Sequence, residues 1–158
     1  MTGNDKPLIR RAVLLDEEPV CALLAELGGK LAIPTGSARN SAWHALITHT
    51  GTLVYVADIN GKIASTATIH ILPNMTNGAR PYALIENVIT NQNYRNIGLG
   101  RLLMEHAIRE AWNANAYKIM LLTGKFRKDG GSIGFYKKLG FRSDEKSAMT
   151  MRRVPERD

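Results

Sequence analysis

Between Tyr94 and Leu103 the chain reads Tyr-Arg-Asn-Ile-Gly-Leu-Gly-Arg-Leu-Leu, with Gly98 and Gly100 flanked by Arg95 and Arg101. That grouping suits an anion. Amides in the first turn of a helix have no acceptor within it and the helix dipole is positive there, so a phosphate receives several charge-assisted hydrogen bonds. The glycines would let the phosphate approach the backbone, and the two guanidinium groups add neutralising charge. A tight strand-to-helix turn is the plain alternative, although it would need a glycine and no flanking arginines.

Other chemistries find less support. A P-loop is absent, because Gly61-Lys62 is followed by Ile63 and Val56 stands where its first glycine belongs. The dinucleotide fingerprint lacks its third glycine, since Gly98-Leu99-Gly100 continues as Arg101-Leu102-Leu103, which leaves nicotinamide binding a weak alternative. The histidines His44, His49, His70 and His106 show no metal spacing, so no metal is expected. Neither a serine elbow nor a Cys–His pattern occurs, which leaves a covalent acyl-enzyme without a nucleophile. Cys21 shares helical spacing with Leu24 and Gly28 and reads as a core or half-buried thiol. Trp43 and Trp112 read as packing residues, and His106 as a solvated side chain.

The elements that must position this loop follow from periodicity. Leu8 to Ala12 reads as a strand, Asp16-Glu17-Glu18-Pro19 as a helix start, and Val20 to Leu27 as a helix stopped by Gly28-Gly29. A second helix is expected from Ala38 to Thr48. Leu53 to Asp58 and Lys62 to Ile69 are strand-like runs joined by Asn60-Gly61, a strong hairpin signal. A loop from Pro73 to Pro81 leads to a strand from Tyr82 to Thr90. Past the loop at Asn91 to Asn96, a helix from Gly98 to Asn113 puts Leu99, Leu102, Leu103, Ala107 and Ala111 on one side. Lys118 to Thr123 is a strand, completing a βαβ unit whose two strands run parallel. A short helix then ends at Leu139-Gly140, and Phe141-Arg142 and Ala148 to Arg152 can supply closing strands. The fold class is mixed α/β, a central mostly antiparallel twisted sheet with a βαβ unit and flanking helices.

On these blocks the chain resembles the GNAT superfamily of N-acetyltransferases. Arg95-Asn96-Ile97-Gly98-Leu99-Gly100 matches each fixed position of that family's acetyl-CoA motif, Arg/Gln-x-x-Gly-x-Gly/Ala. The strand Leu84 to Thr90 before it and the block Gly134 to Phe141 after it, similar to the family's Phe-Tyr-x-x-x-Gly-Phe element, come in the same order. With the opening strand at Ile9 to Ala12 the resemblance spans nearly the whole chain. It implies one N-acetyltransferase domain over residues 1–158, core about 8–153, with acetyl-CoA as cosubstrate. It further implies that Arg95, Asn96, Ile97, Gly98, Leu99, Gly100 and Arg101 hold the pyrophosphate, and that the strand edge at Val88, Ile89 and Thr90 bonds the pantetheine arm. The family often carries Asn seven residues before the tyrosine, where this chain has Asp129, so one pantetheine hydrogen bond is in question.

Acyl transfer to an amine, by direct attack in a ternary complex, raises two proton problems. An alkyl amine titrating at about 10.4 is almost wholly protonated at neutral pH and needs a base. Several family members use an acid at the strand position of Glu86, which makes it the candidate. A free glutamate titrates at about 4.3, so this role requires desolvation or a water relay. An ordinary strand-face carboxylate is the alternative. The departing thiolate needs a proton, which a phenol titrating at about 10 can donate. Tyr136 is implied as that general acid, with a packed aromatic as the alternative. A strand N–H near Val88 or Ile89 is suited to the carbonyl oxygen as it gains charge.

The chain has 158 residues, 44% hydrophobic and 22% charged, which suits one globular domain. No stretch approaches the roughly 18 apolar residues of a membrane span, no secretory leader is evident, and the lone Cys21 forms no internal disulfide. A cytoplasmic protein without a membrane partner is expected. Its net charge of +7 favours anionic partners, but no run of five or six basic residues occurs and aromatics are 6%, so nucleic acid is not expected. A non-catalytic CoA-sensing or nucleic-acid-binding module using the same loop is the rival function. The acceptor is a small-molecule or peptide amine, and the resemblance implies that the early helices and the Pro73 to Pro81 loop select it. The strands Leu84 to Ile89 and Tyr117 to Leu122 look somewhat like the glucosamine-phosphate acetyltransferase branch. Late strands in such folds often pair across a dimer, so a homodimer stays open.

Overall fold

The computed structural model describes residues 6–27, 33–123 and 131–143. The chain divides into two compact units, Met1–Leu121 and Leu122–Asp158. The first is built on a five-stranded sheet in the order β1 (Leu8–Arg11), β2 (Thr52–Ile59), β3 (Lys62–Leu72), β4 (Tyr82–Thr90) and β5 (Ile119–Leu121). Neighbours are antiparallel except β4 and β5, which are parallel. The hairpin between β2 and β3 turns at Asn60 and Gly61, both with positive φ (51° and 82°), as a two-residue turn of the primed kind requires. Asp58 Oδ1 accepts the Gly61 amide at 2.7 Å and closes it.

Both faces of the sheet are covered. The helices α1 (Glu17–Ala25) and α2 (Gly36–Thr48) place Val20 and Trp43 on Ala12, Val54 and Val56. On the other face α4 (Leu99–Asn113) sets Leu99 against Ala57, Ile59 and Ala64. Its buried stripe is Leu99, Leu103, Ala107 and Ala111, joined by Met104. Because that stripe advances in steps of four, Leu102 falls off it and is 41% exposed, contrary to the expectation that it faces the core. Trp43 is a packing residue, with its indole N–H donating to the Leu14 carbonyl at 3.0 Å. Trp112, also read as packing, is 52% exposed on the outer side of α4. The expected loop at Pro73 to Pro81 contains one turn, α3 (Thr76–Ala79), with Asn77, Gly78 and Ala79 at positive φ.

One guanidinium ties the start of α1 to the sheet. Arg10 donates from Nη1 and Nη2 to the two Asp16 oxygens, at 2.7 and 2.9 Å, and from Nε and Nη2 to Asp58 Oδ2, at 3.2 and 3.0 Å. Asp16 also accepts the Val13 amide at 2.8 Å. Among the described residues no buried side-chain polar atom lacks a partner.

In the second unit, α5 (Gly131–Lys138) stops at Gly140, whose φ is 92°. The Phe141 amide bonds the Tyr136 carbonyl and the Gly140 amide that of Lys137, the paired bonds of a glycine-capped helix end. Phe141 and Arg142 form no strand, correcting that expectation: the Phe141 amide is turned back onto the Tyr136 carbonyl by the helix cap. Ala148 to Arg152, Gly28-Gly29 and Asp129 lie outside the described residues.

Hydrogen bonds from Arg10 outweigh burial at Asp16 and hold its carboxyl below the usual range. A depressed folded pKa contributes stability that is complete above the unfolded value, about 4, and is lost as pH falls through the folded one. Urea unfolding of Arg10→Met should therefore show a loss of about 2 kcal/mol at pH 7 and a flatter decline below about pH 4 than in the parent chain.

Candidate active site

The strand before the glycine loop is irregular where chemistry was expected. β3 and β4 pair as Thr66 with Ile89 and Thr68 with Glu86, so the single residue Ala67 faces two, Asn87 and Val88. Asn87 takes φ of 55°, which makes this a β-bulge. Along the other edge, β4 pairs with β5 only from Ala83 to Ile85. Glu86 to Thr90 thus presents a backbone edge that has no strand on it among the described residues. Unpaired strand groups of this kind accept a ligand that can imitate a strand.

A buried hydroxyl fixes the end of that edge. Ser65, fully buried, donates to the Ile89 carbonyl at 2.8 Å and stands 2.8 Å from Thr90 Oγ1. With its one proton committed to Ile89, Ser65 Oγ accepts from Thr90. Ile89 itself is a core side chain, so its part at the edge is confined to the backbone. Neither Asn87 nor Ser65 was picked out by sequence, since Asn87 acts through its backbone angles and Ser65 through a hydroxyl that no spacing marks.

The glycine loop is then built from left-handed positions. Asn91 accepts the Asn93 amide and starts a 3-10 turn, Gln92–Tyr94. Asn96 (φ 63°) and Gly98 (φ 84°) bring the chain round to α4, whose first helical bond runs from the Leu102 amide to the Gly98 carbonyl at 3.0 Å. The amides of Leu99, Gly100 and Arg101 precede that bond and have no helical acceptor. A Cβ built at Gly98 meets nothing within 4 Å, so conformation demands glycine there and the space beside it is open. Arg95, Asn96, Ile97 and Gly98 are exposed, and Leu99 is buried in the core as an anchor. These are the features a pyrophosphate needs, and acetyl-CoA fits them.

The two arginines differ. Arg95 Nε donates to the Thr90 carbonyl at 2.9 Å, joining the loop to the open edge of β4. Arg101 pairs with Glu105 one turn along α4, at 2.7 Å on the exposed side. A phosphate there would compete with Glu105 for it.

Glu86 lies on the sheet face covered by α1 and α2, opposite Thr68, and is half-buried. Tyr136 belongs to the second unit, in α5, with its ring edge-on to Phe135 and Phe141 at 5.2 and 6.0 Å. His106, read as solvated, is half-buried: its ring packs edge-on against Tyr55 at 4.7 Å, and burial lowers its pKa. Tyr55 donates to Glu110 and is pushed up to about 12 by burial and then by that bond, so it is a structural phenol. Burial likewise raises the half-buried Cys21 thiol, keeping it protonated and inert. Among the described residues no group of His, Cys, Asp and Glu is arranged to hold a metal, and no helix is long and apolar enough to cross a membrane.

Residues 17–141 match the family model described as Acetyltransferase (GNAT) family. The chain is 33% identical over 95 residues to glucosamine 6-phosphate N-acetyltransferase of Trypanosoma brucei brucei, a match over 60% of this chain and 61% of that relative's length. Among solved structures, a proposed acetyltransferase from Agrobacterium tumefaciens str. C58 superposes with TM-score 0.84 at 38% identity, over 92% of this chain and 99% of its own. Trypanosoma brucei acetyltransferase Tb11.01.2886 superposes with TM-score 0.78 at 26% identity, over 93% and 100%.

Acetyl-CoA at about a hundred times its Kd should raise the thermal midpoint by about 5–10 °C. Gly98→Pro fixes φ near −65°, opposite in sign to the native value, and should abolish that rise. An undiminished rise in differential scanning fluorimetry would place the cofactor elsewhere.

Proposed function

The chain belongs to the GNAT acetyltransferase family, and on that premise we propose that it moves the acetyl group of acetyl-CoA to a primary amine by direct attack, both substrates being bound together. One observation carries this reading: the unpaired edge of β4 and the open first turn of α4 are joined by the bond from Arg95 to Thr90. When bound, acetyl-CoA supplies an activated thioester. The amides from Asn96 to Arg101 hold its pyrophosphate, and the backbone of Val88, Ile89 and Thr90 orients the pantetheine arm. An amide at the bulge is the donor for the carbonyl oxygen as it becomes anionic. Glu86 accepts the proton of the incoming ammonium group through water, and Tyr136 donates one to the departing thiolate.

The acceptor in this reading is a small amine bearing an anionic group, with an amino sugar phosphate as the leading candidate. The named Trypanosoma relative and the net charge of +7 both support it. Peptide amines are the rival. A single catalytic domain over residues 1–158, a cytoplasmic location and a homodimer complete the proposal, the last to be tested by sedimentation.

Thiol release from acetyl-CoA should accompany acetylation of glucosamine 6-phosphate or a close analogue in a panel that includes peptides. Glu86→Gln and Tyr136→Phe should each lower kcat by about 100-fold with acetyl-CoA affinity retained. Turnover at the parent rate in either variant removes that residue from the chemistry, and salt-sensitive DNA or RNA binding without thiol release overturns the enzyme reading.

A further inference from the structure

The face of the sheet that carries Glu86 also carries a chain of hydrogen bonds that the proposed mechanism leaves unused. Cross-strand pairing sets Thr52 beside His70 beside Leu84, one row along from Val54, Thr68 and Glu86. Residues directly opposite share a face, so His70 and Glu86 are diagonal neighbours there. Such pairs lie about 7–8 Å apart, within reach of an imidazole and a carboxylate through one water. Both side chains are half-buried.

Thr52, only 4% exposed, bridges two imidazoles. Its Oγ1 is 2.9 Å from His70 Nδ1 and 3.1 Å from His49 Nδ1. The Gly51 amide donates to the same His49 Nδ1 at 3.1 Å, which makes that nitrogen an acceptor. Thr52 shares that nitrogen's single lone pair with the Gly51 amide and donates its proton to His49, the arrangement that avoids facing two lone pairs at 3.1 Å. The remaining lone pairs of Thr52 can only accept, so His70 Nδ1 carries a proton and donates it. With Nδ1 protonated, a neutral His70 ring has its lone pair on Nε2. His49, Gly51 and Thr52, close together in sequence, thus select the tautomer of an imidazole eighteen residues from Thr52, and every link donates toward His49, which is exposed.

We propose that His70 is a proton-relay residue for acetyl transfer, receiving at Nε2, through water shared with Glu86, the proton that leaves the acceptor amine. This rests on the acetyltransferase reading above. The acceptor nitrogen begins as R–NH3+ and ends as an amide N–H, losing two protons. One passes by way of Glu86 and water to His70 Nε2 and on to solvent. The other ends on the CoA sulfur as the C–N bond forms and the C–S bond breaks. R–NH3+ and acetyl-CoA therefore give amide, CoA thiol and one proton. An imidazole suits the task because protonation at Nε2 leaves the bond from Nδ1 to Thr52 intact.

The nitrogen-15 spectrum of imidazole-labelled protein tests the premise without any turnover. His70 should show a protonated Nδ1 and a bare Nε2, and Thr52→Val should release that preference. The opposite tautomer in the parent chain overturns the proposal. In turnover, His70→Ala should lower kcat by about 100-fold, leave KM for acetyl-CoA unchanged, and recover when free imidazole is added. Parent-level kcat, or a loss that imidazole does not restore, overturns it as well. Failure of the acetyltransferase reading shows differently: the parent chain releases no thiol while the tautomer stands, and the relay falls with it.

Discussion

Among the described residues β4 carries a stretch of backbone edge that no strand covers, and the candidate site is built around it. β4 is held on one side by β3 along most of its length and on the other by only three residues of β5. Backbone donors and acceptors must be satisfied somewhere, and from Glu86 to Thr90 no strand covers that edge among the described residues, while Arg95 bonds the Thr90 carbonyl. The bulge at Asn87 and Val88 bends the strand at the same place. A regular ladder here would give a more uniform sheet and no slot.

The neighbouring parts are fixed so that this edge can stay open. Leu99, Leu103 and Ala107 anchor α4 in the core on one face, which holds the loop from Arg95 to Gly98 at the surface without tying up its first-turn amides. Ser65 is wholly buried and grips the Ile89 carbonyl from inside the sheet. On the opposite face Arg10 gathers Asp16 and Asp58, so the entry to α1, the hairpin and β1 share one cation. That region covers the face carrying Glu86 and His70. In the proposed reading donor recognition rests on backbone, and proton handling on side chains of the adjacent strands β3 and β4.

Much of the fold was legible because turns have chemical requirements. Asn60-Gly61, Gly98 and Gly140 all sit at positive φ, where the residue types had announced a hairpin, a helix start and a helix stop. The turn from the Asn91–Gly98 loop into α4 was legible for the same reason. What escaped was geometry without a compositional mark: the bulge needs only a left-handed Asn87, and Ser65 resembles any serine in a strand. Leu102 and Trp112 misled because an apolar type near an apolar stripe says nothing of the few tens of degrees that decide exposure. The arrangement of His49, Thr52 and His70 depends on cross-strand register over eighteen residues, which periodicity does not report.

The proposed function depends on acetyl-CoA lying along the open edge of β4 with its pyrophosphate at the start of α4. A titration of nitrogen-15-labelled protein with acetyl-CoA, followed residue by residue through the backbone amides, tests that placement most directly. The account predicts that the amides from Val88 to Thr90 and from Asn96 to Arg101 shift together and saturate at one concentration, while those of β1 and α2 stay in place. Saturable binding that leaves both segments unmoved would contradict it.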